Sequence, residues 1–310
     1  MSSLAIDERC SICGEVSPCR QIPIPAAQHE APGSTIVQCA SCGSGRTKDG
    51  IKAEELGRFY AADYYSYSPE GYSPTRRRLK AEFHRRIPFA LRRMIAQRWL
   101  TLLPPKKAGC VLDVGCGCGA SLDLWKQLGW STYGTEISPG AAEFCRKNGH
   151  EVALVASPDG AFGNVLFDWI TLDNVLEHID DPRSVLSALR QRLAPNGQLT
   201  VCVPNFGGLD ARLFSPYWAM LDAPRHRSHF TAKGLCRLLA GVGFRVSNIT
   251  FQLRLDSATS FIIAKPYLHS DELARLRRSH RYLLVRKAIH LLVAPKISER
   301  FGYFMTIEAR

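Results

Sequence analysis

The chain has no uninterrupted apolar run of the roughly 20 residues that a membrane-spanning helix needs. Residues Met1 to Arg9 have neither the basic start nor the apolar core of an export leader. A cytoplasmic protein is expected, with peripheral contact at the inner membrane face as the further possibility. Acid is also scarce: 28 Asp and Glu stand against 40 Lys and Arg, a net charge of +12. Such an excess favours anionic partners, and lipid, nucleic acid and phosphorylated substrates all stay open. At 310 residues, one large α/β domain and a small appendage can be built with ample core.

Disulfide-type cysteine spacing is missing as well. Of 11 cysteines, only Cys10 with Cys13 and Cys39 with Cys42 form Cys-x-x-Cys pairs, each followed at once by Gly14 or Gly43. Two such knuckles can close a tetrahedral four-thiolate site, the glycine freeing each turn so that backbone N–H groups reach the sulfurs. A zinc ribbon over residues 1–50 is expected, with structural Zn2+ stabilising a segment too poor in apolar residues to fold alone. Cys19 is read as a bystander. Cys110, Cys116, Cys118, Cys145, Cys202 and Cys236 sit singly, as compact apolar side chains.

The centre of the chain is Cys110-Val-Leu-Asp113-Val-Gly115-Cys-Gly117-Cys-Gly119. An apolar run ends beside an acid, alternating glycines follow, and an apolar-periodic segment begins. This reads as strand, tight loop and helix, with free N–H donors at the helix start. A dinucleotide fingerprint is one reading, but the spacing is Gly-x-Gly-x-Gly and not Gly-x-Gly-x-x-Gly. A second strand ends in Glu136, where a nucleotide-binding α/β fold places its ribose acceptor. Further on, Phe167-Asp-Trp-Ile-Thr-Leu-Asp-Asn174-Val-Leu-Glu-His178 puts a buried strand before a polar turn.

In this order these motifs resemble the class I S-adenosylmethionine-dependent methyltransferases. The form with Val-Leu-Glu-His and a following Asp-Pro is similar to the branch acting on small molecules, quinones and sugars. The segment Pro224-Arg225-His226-Arg-Ser-His229-Phe230 resembles methyltransferases of sugar and polysaccharide biosynthesis. The likeness covers roughly residues 103–244 and the last strand. It implies a doubly wound, mostly parallel, seven-stranded Rossmann-like sheet. Strands are expected at 110–114, 131–135, near 151–155, 166–172 and 197–203, and helices at 119–128, 138–148 and 182–193. A sixth strand from Gly243 and a seventh from Phe301 complete it. The domain plan is 1–50 zinc ribbon, 51–103 aromatic and basic lid, and 104–310 catalytic domain. Insertions at 205–230 and 265–300 interrupt the last of these.

The resemblance also assigns roles. Gly115, Gly117 and Gly119 would pass beneath the amino-acid part of S-adenosylmethionine, Asp113 would anchor that loop, Glu136 would accept the ribose hydroxyls, and Asn174 would meet the methionyl portion. His178 either takes the acceptor's proton or caps the helix that begins at Asp180-Asp181-Pro182. The 205–230 insertion should overhang the acceptor. That makes His226 and His229 candidate bases and lets Arg225 meet a phosphate or carboxylate. The Tyr-rich stretch from Phe59 to Tyr67 either covers the cofactor or packs the first helix onto the sheet.

Two segments combine cations with an apolar stripe: Arg76 to Arg98, whose one acid is Glu82, and Lys265 to Arg300. Both read as amphipathic helices that either lie on an anionic surface or simply face water. The favoured function is methyl transfer to a sugar or a lipid- or nucleotide-linked glycan. Ribosomal RNA methylation fits the ribbon and the charge, but no Asn-Pro-Pro-aromatic turn and no Pro-Cys or Thr-Cys nucleophile follows the fourth strand. A quinone-type O-methyltransferase and a non-catalytic binding module complete the alternatives.

Overall fold

The computed structural model describes residues 6–25, 34–48, 51, 55, 59–60, 82, 102, 104–105, 107–156, 160–252, 258–293, 300 and 302–310. The basic stretch from Arg76 to Arg98, apart from Glu82, lies outside the described residues, as do Tyr64, Tyr65 and Tyr67.

Two sheets organise the chain. The larger has seven strands in the order β11–β12–β9–β8–β5–β6–β7. These are β5 (Cys110–Val114), β6 (Ser131–Glu136), β7 (Glu151–Leu154), β8 (Phe167–Asp173), β9 (Leu193–Pro204), β11 (Val246–Gln252) and β12 (Phe304–Ala309). Strands β5 to β9 pair in parallel, while β12 runs antiparallel to both β9 and β11. Val111, Leu112, Ile170, Leu172, Leu199 and Val201 are fully buried in this sheet. Such near-continuous apolar runs are what a parallel sheet covered on both faces requires.

Two of the three crossover helices that follow begin where a side chain satisfies their first N–H groups. Helix α1 (Ala120–Gln127) follows the glycine loop and buries Leu122, Leu124 and Trp125. Helix α2 (Pro139–Lys147) is capped by Ser138, and α3 (Pro182–Gln191) by Asp181, which accepts from the N–H groups of Arg183 and Ser184. In both, proline occupies the first turn, where its missing donor costs nothing. With Asp181 as the cap, His178 does not serve that purpose.

The sheet keeps its β11–β12 hairpin although residues 258–293 interrupt it as α6 (Ala258–Ala264), a 3-10 turn and α7 (Ser270–Val293). The helical insertion therefore starts earlier than the expected 265. It also packs on α4 (Leu209–Phe214): His280 meets Phe214 edge-on, with ring centroids 5.4 Å apart. Leu283 is buried beside Tyr282 and Val285, which are exposed. Part of the apolar stripe is thus spent on the protein itself. No helix among the described residues is long and apolar enough to cross a membrane.

The smaller sheet is antiparallel, in the order β1–β2–β3–β4–β10. Strands β1 (Ile6–Arg9), β2 (Val16–Pro23), β3 (Thr35–Cys39) and β4 (Gly45–Lys48) come from the N-terminal region, but β10 is Ser228–His229. Separate units at 1–50 and 205–230 were expected, yet they share one sheet. Ile12, wholly buried, joins the core formed by Leu186, Leu189, Leu235 and Leu238 of α3 and α5 (Ala232–Gly241).

Candidate functional site

The glycine loop turns at the carboxyl end of β5. Gly115, Gly117 and Gly119 have φ of 71°, 52° and 75°, a region that side chains with a Cβ rarely adopt. A Cβ on Gly115 would lie 2.6 Å from Val175, and one on Gly119 would lie 2.8 Å from the Cys145 sulfur. Close packing within the protein thus demands two of the three glycines. Gly117 N–H donates to Glu136 Oε2 at 2.8 Å, and Glu136 Oε1 accepts from the N–H groups of Ile137 (2.7 Å) and Ser138 (2.8 Å). Glu136 is therefore held rigidly, with one lone pair, on Oε2, still available on a carboxylate that has about four acceptor positions.

Asp113 faces inward. It accepts from the Thr171 hydroxyl at 2.6 Å, and burial pushes its carboxyl up to about 7. It ties β5 to β8 beneath the loop. Asn174 takes up φ of 55° directly after β8, its N–H bound to Cys202 O and its side chain donating to Asp173 at 2.9 Å. Burial raises Asp173 to about 6. Asp173 and three apolar residues at other strands' ends of the same sheet carry no motif in the sequence. Ile137, Leu154 and Val155 stand exposed at the ends of β6 and β7. Glu136 and Leu154 are paired across those strands. Their signal was positional only: the first residues past the carboxyl ends, where an open α/β sheet binds ligands.

A second group forms where the turn after β8 meets the segment 225–231. The rings of His178 and His226 lie edge to face, 4.6 Å between centroids. Ligand atoms of Glu177, His178 and His226 all fall within 4.8 Å of one another. Glu177 is 1% exposed, and neither of its carboxylate oxygens has a hydrogen-bond partner. Burial therefore pushes its carboxyl up to about 8. Burial likewise lowers His178 well below the usual imidazole range and lowers His226. At neutral pH the set is a protonated acid beside two neutral imidazoles, able to accept a proton or to hold a cation.

Each ring is oriented from one side. His226 Nδ1 lies 2.8 Å from Met220 O, a contact that needs the proton on Nδ1 and leaves the lone pair on Nε2. His178 Nδ1 is 3.1 Å from Arg225 O and 2.9 Å from the Tyr60 hydroxyl. Tyr60 comes from the Tyr-rich stretch, in which no single ring stood out by sequence.

Arg225 departs from expectation. It makes a two-pronged contact with Asp222, Nε to Oδ2 at 3.0 Å and Nη2 to Oδ1 at 2.5 Å, and Nη1 donates to Phe59 O at 3.2 Å. Its guanidinium braces the segment internally. His229 does not join the other two histidines. It is 3% exposed, its Nε2 lies 3.0 Å from Thr47 Oγ1, and its ring packs 5.4 Å from Phe206.

The four paired cysteines converge. Cys10 and Cys42 sulfurs are 3.9 Å apart, as are those of Cys13 and Cys39, and all four ligand atoms lie within 4.8 Å. A tetrahedron of Zn–S bonds of about 2.3 Å has edges of about 3.8 Å. The residues fit zinc. Gly14 and Gly43 carry the positive φ (80° and 75°) that turns each knuckle, and Cys13 N–H reaches Cys10 Sγ at 3.5 Å. Cys19, opposite Cys39 on the neighbouring strand, points its thiol to Ser17 O and stays outside the set.

Comparison with known proteins agrees with this architecture. Residues 83–249 match the family model described as a methyltransferase domain. A mitochondrial ubiquinone biosynthesis O-methyltransferase from Schizosaccharomyces pombe is 33% identical over 99 residues, 29% of this chain and 36% of that protein. A ubiquinone biosynthesis O-methyltransferase from Thiobacillus denitrificans is 32% identical over 107 residues, 32% of this chain and 46% of that protein. The chain thus spans less than half the length of these curated relatives. Among solved structures, a SAM-dependent methyltransferase from Archaeoglobus fulgidus is similar, with 21% identity, a TM-score of 0.46, and coverage of 75% of this chain and 93% of that one. The family match takes in the glycine loop, Glu136 and the turn carrying Glu177 and His178, and by it this chain belongs to the methyltransferase-domain family.

Proposed function

We propose that the chain catalyses methyl transfer from S-adenosylmethionine to a hydroxyl of a small-molecule acceptor, at the junction of the glycine loop and the His178–His226 pair. The observation that carries this reading is the pairing of two neutral, oriented imidazoles, His178 in the turn after β8 and His226 in the segment after β9, with Val175 of that same turn packed against Gly115 of the loop. When bound, S-adenosylmethionine supplies an electrophilic methyl group on its sulfonium.

The protein's task is then to align an acceptor and take its proton. Glu136 accepts a ribose hydroxyl on the lone pair of Oε2 left over from its three backbone donors. The exposed Ile137, Leu154 and Val155 offer apolar surface to the flat base. Asp173 and Asn174 meet the amino-acid end. Asp113 holds the loop to β8 through Thr171 and touches no ligand. His226 Nε2 is the favoured proton acceptor, with His178 beside it, and Tyr60 orients His178. Glu177, uncharged, keeps the pair free of a fixed negative charge that would hold the proton after transfer.

Among acceptors, the ubiquinone O-methyltransferase relatives support a quinone-type phenol. The sugar or glycan acceptor rests on the Pro-Arg-His-x-x-His-Phe segment alone. Arg225, committed to Asp222, adds no support for a phosphate on the acceptor. A lipid-soluble phenol would also suit peripheral contact with an anionic membrane, since α7 exposes Tyr282 and Val285 beside Arg281 and Arg286. Zinc in the four-cysteine group is structural. Isotope-labelled S-adenosylmethionine offered with a demethylated quinol or with a nucleotide sugar tests the acceptor. Label in the quinol is expected, and label in the sugar alone would reverse the order.

A further inference from the structure

The segment that carries the acceptor-side histidines hangs from the four-cysteine sheet. Strand β10 pairs with β4, Ser228 against Arg46 and His229 against Gly45. Thr47 N–H donates to Arg227 O at 3.0 Å, while Arg227 N–H donates to Glu177 O at 2.7 Å, so one residue joins β4 to the turn after β8. The second cysteine knuckle grips the end of the same segment: Thr231 Oγ1 donates to Cys42 O at 2.6 Å, and Thr231 N–H donates to Ser44 Oγ at 3.0 Å.

Thr47 carries the decisive contact. Its hydroxyl donates to His226 O at 2.6 Å, and the same oxygen lies 3.0 Å from His229 Nε2. A hydroxyl has one proton. With that proton spent on His226 O, Thr47 Oγ1 can only accept from His229, so the ring proton must sit on Nε2 and the lone pair on Nδ1. We infer that Thr47 is a positioning residue through which the zinc-binding sheet fixes the tautomer of His229 and the placement of the backbone carrying His226. The four-cysteine group is then part of the acceptor site's scaffold. This rests on the proposed placement of the acceptor only for its functional meaning; the tautomer claim stands on geometry alone.

The test reads imidazole nitrogen resonances of the full-length zinc-loaded protein by NMR, assigned through His229→Gln. The wild type should show His229 protonated at Nε2, and an Nδ1–H ring there overturns the inference without any variant. Thr47→Val keeps shape and removes the hydroxyl, so the His229 Nε2–H loses its acceptor and the ring nitrogen signals should shift; Thr47→Ser should restore the wild-type signal. Removing zinc with a chelator should also disturb the His229 signal. In the same samples, cofactor affinity measured by calorimetry should change by less than about twofold, because the Gly115 loop and Glu136 are untouched. An unaltered His229 signal in both Thr47→Val and the metal-free protein would overturn the coupling. Absence of S-adenosylmethionine binding by the wild type would instead refute the methyltransferase reading and leave the His229 result to stand.

Discussion

The glycine loop and the histidine segment are built in opposite ways. Between Asp113 and Glu136 the loop is built from one continuous stretch of strand, turn, helix and strand, closed by the Gly117 to Glu136 hydrogen bond and packed against Val175 and Cys145. The His178–His226 pair instead needs the turn after β8, the segment after β9 and Tyr60 to meet, and the segment after β9 is held by the N-terminal sheet. Damage to the N-terminal region should therefore reach the histidines and spare the loop.

The largest expected effect tests that division. Cys39→Ser should abolish the single bound zinc in elemental analysis and remove stabilisation on the order of 10 kcal/mol from the N-terminal sheet. Proteolysis should then cut both within residues 6–48 and near 225–231. Protection of the second region would show that the histidine segment stands without its partner strand. Next in size, His226→Ala should lower kcat by about 10²–10⁴-fold with cofactor affinity unchanged, and His178→Ala should do so to a smaller extent. Full turnover in both variants would remove the proton-transfer role. His229→Ala should change kcat less than either.

Glu177 sharpens the comparison through pH. Its folded carboxyl holds a proton up to about pH 8, whereas the unfolded chain releases it near 4.5. The folded state thus binds more protons across that window, and stability falls as pH rises from about 4.5 to about 8, then levels. Glu177→Gln cannot ionise. It should unfold at about the wild-type denaturant concentration at pH 4 and be more stable by about 2–4 kcal/mol at pH 9. Identical pH profiles would mean that the carboxyl is not kept protonated by burial. Smaller again, Glu136→Ala should weaken cofactor binding by about 1–3 kcal/mol.

How far the sequence spoke follows from the same contrast. The parallel strands, the glycine loop and the cysteine knuckles were legible because each depends on neighbours within a few residues. The antiparallel β11–β12 pair was expected across a helical insertion only because the resembled fold has it. What could not be read was pairing across the chain. Nothing near Thr47 announces that it faces His229, and nothing near Arg225 announces that Asp222 occupies it. His226 and His229 look equivalent in a Pro-Arg-His-x-x-His-Phe string, but strand geometry sends them to different surroundings. His226 meets His178, and His229 meets Thr47.

Calorimetric titration of S-adenosylmethionine into the wild type and into Gly117→Leu tests the central claim most directly. Gly117 is buried at φ of 52°, and its N–H anchors Glu136, so a side chain there should strain the turn and fill the cradle. The account predicts one saturable site in the wild type and no detectable binding in the variant, both proteins keeping the same zinc content. Equal binding in the two proteins, or none in the wild type, would contradict it.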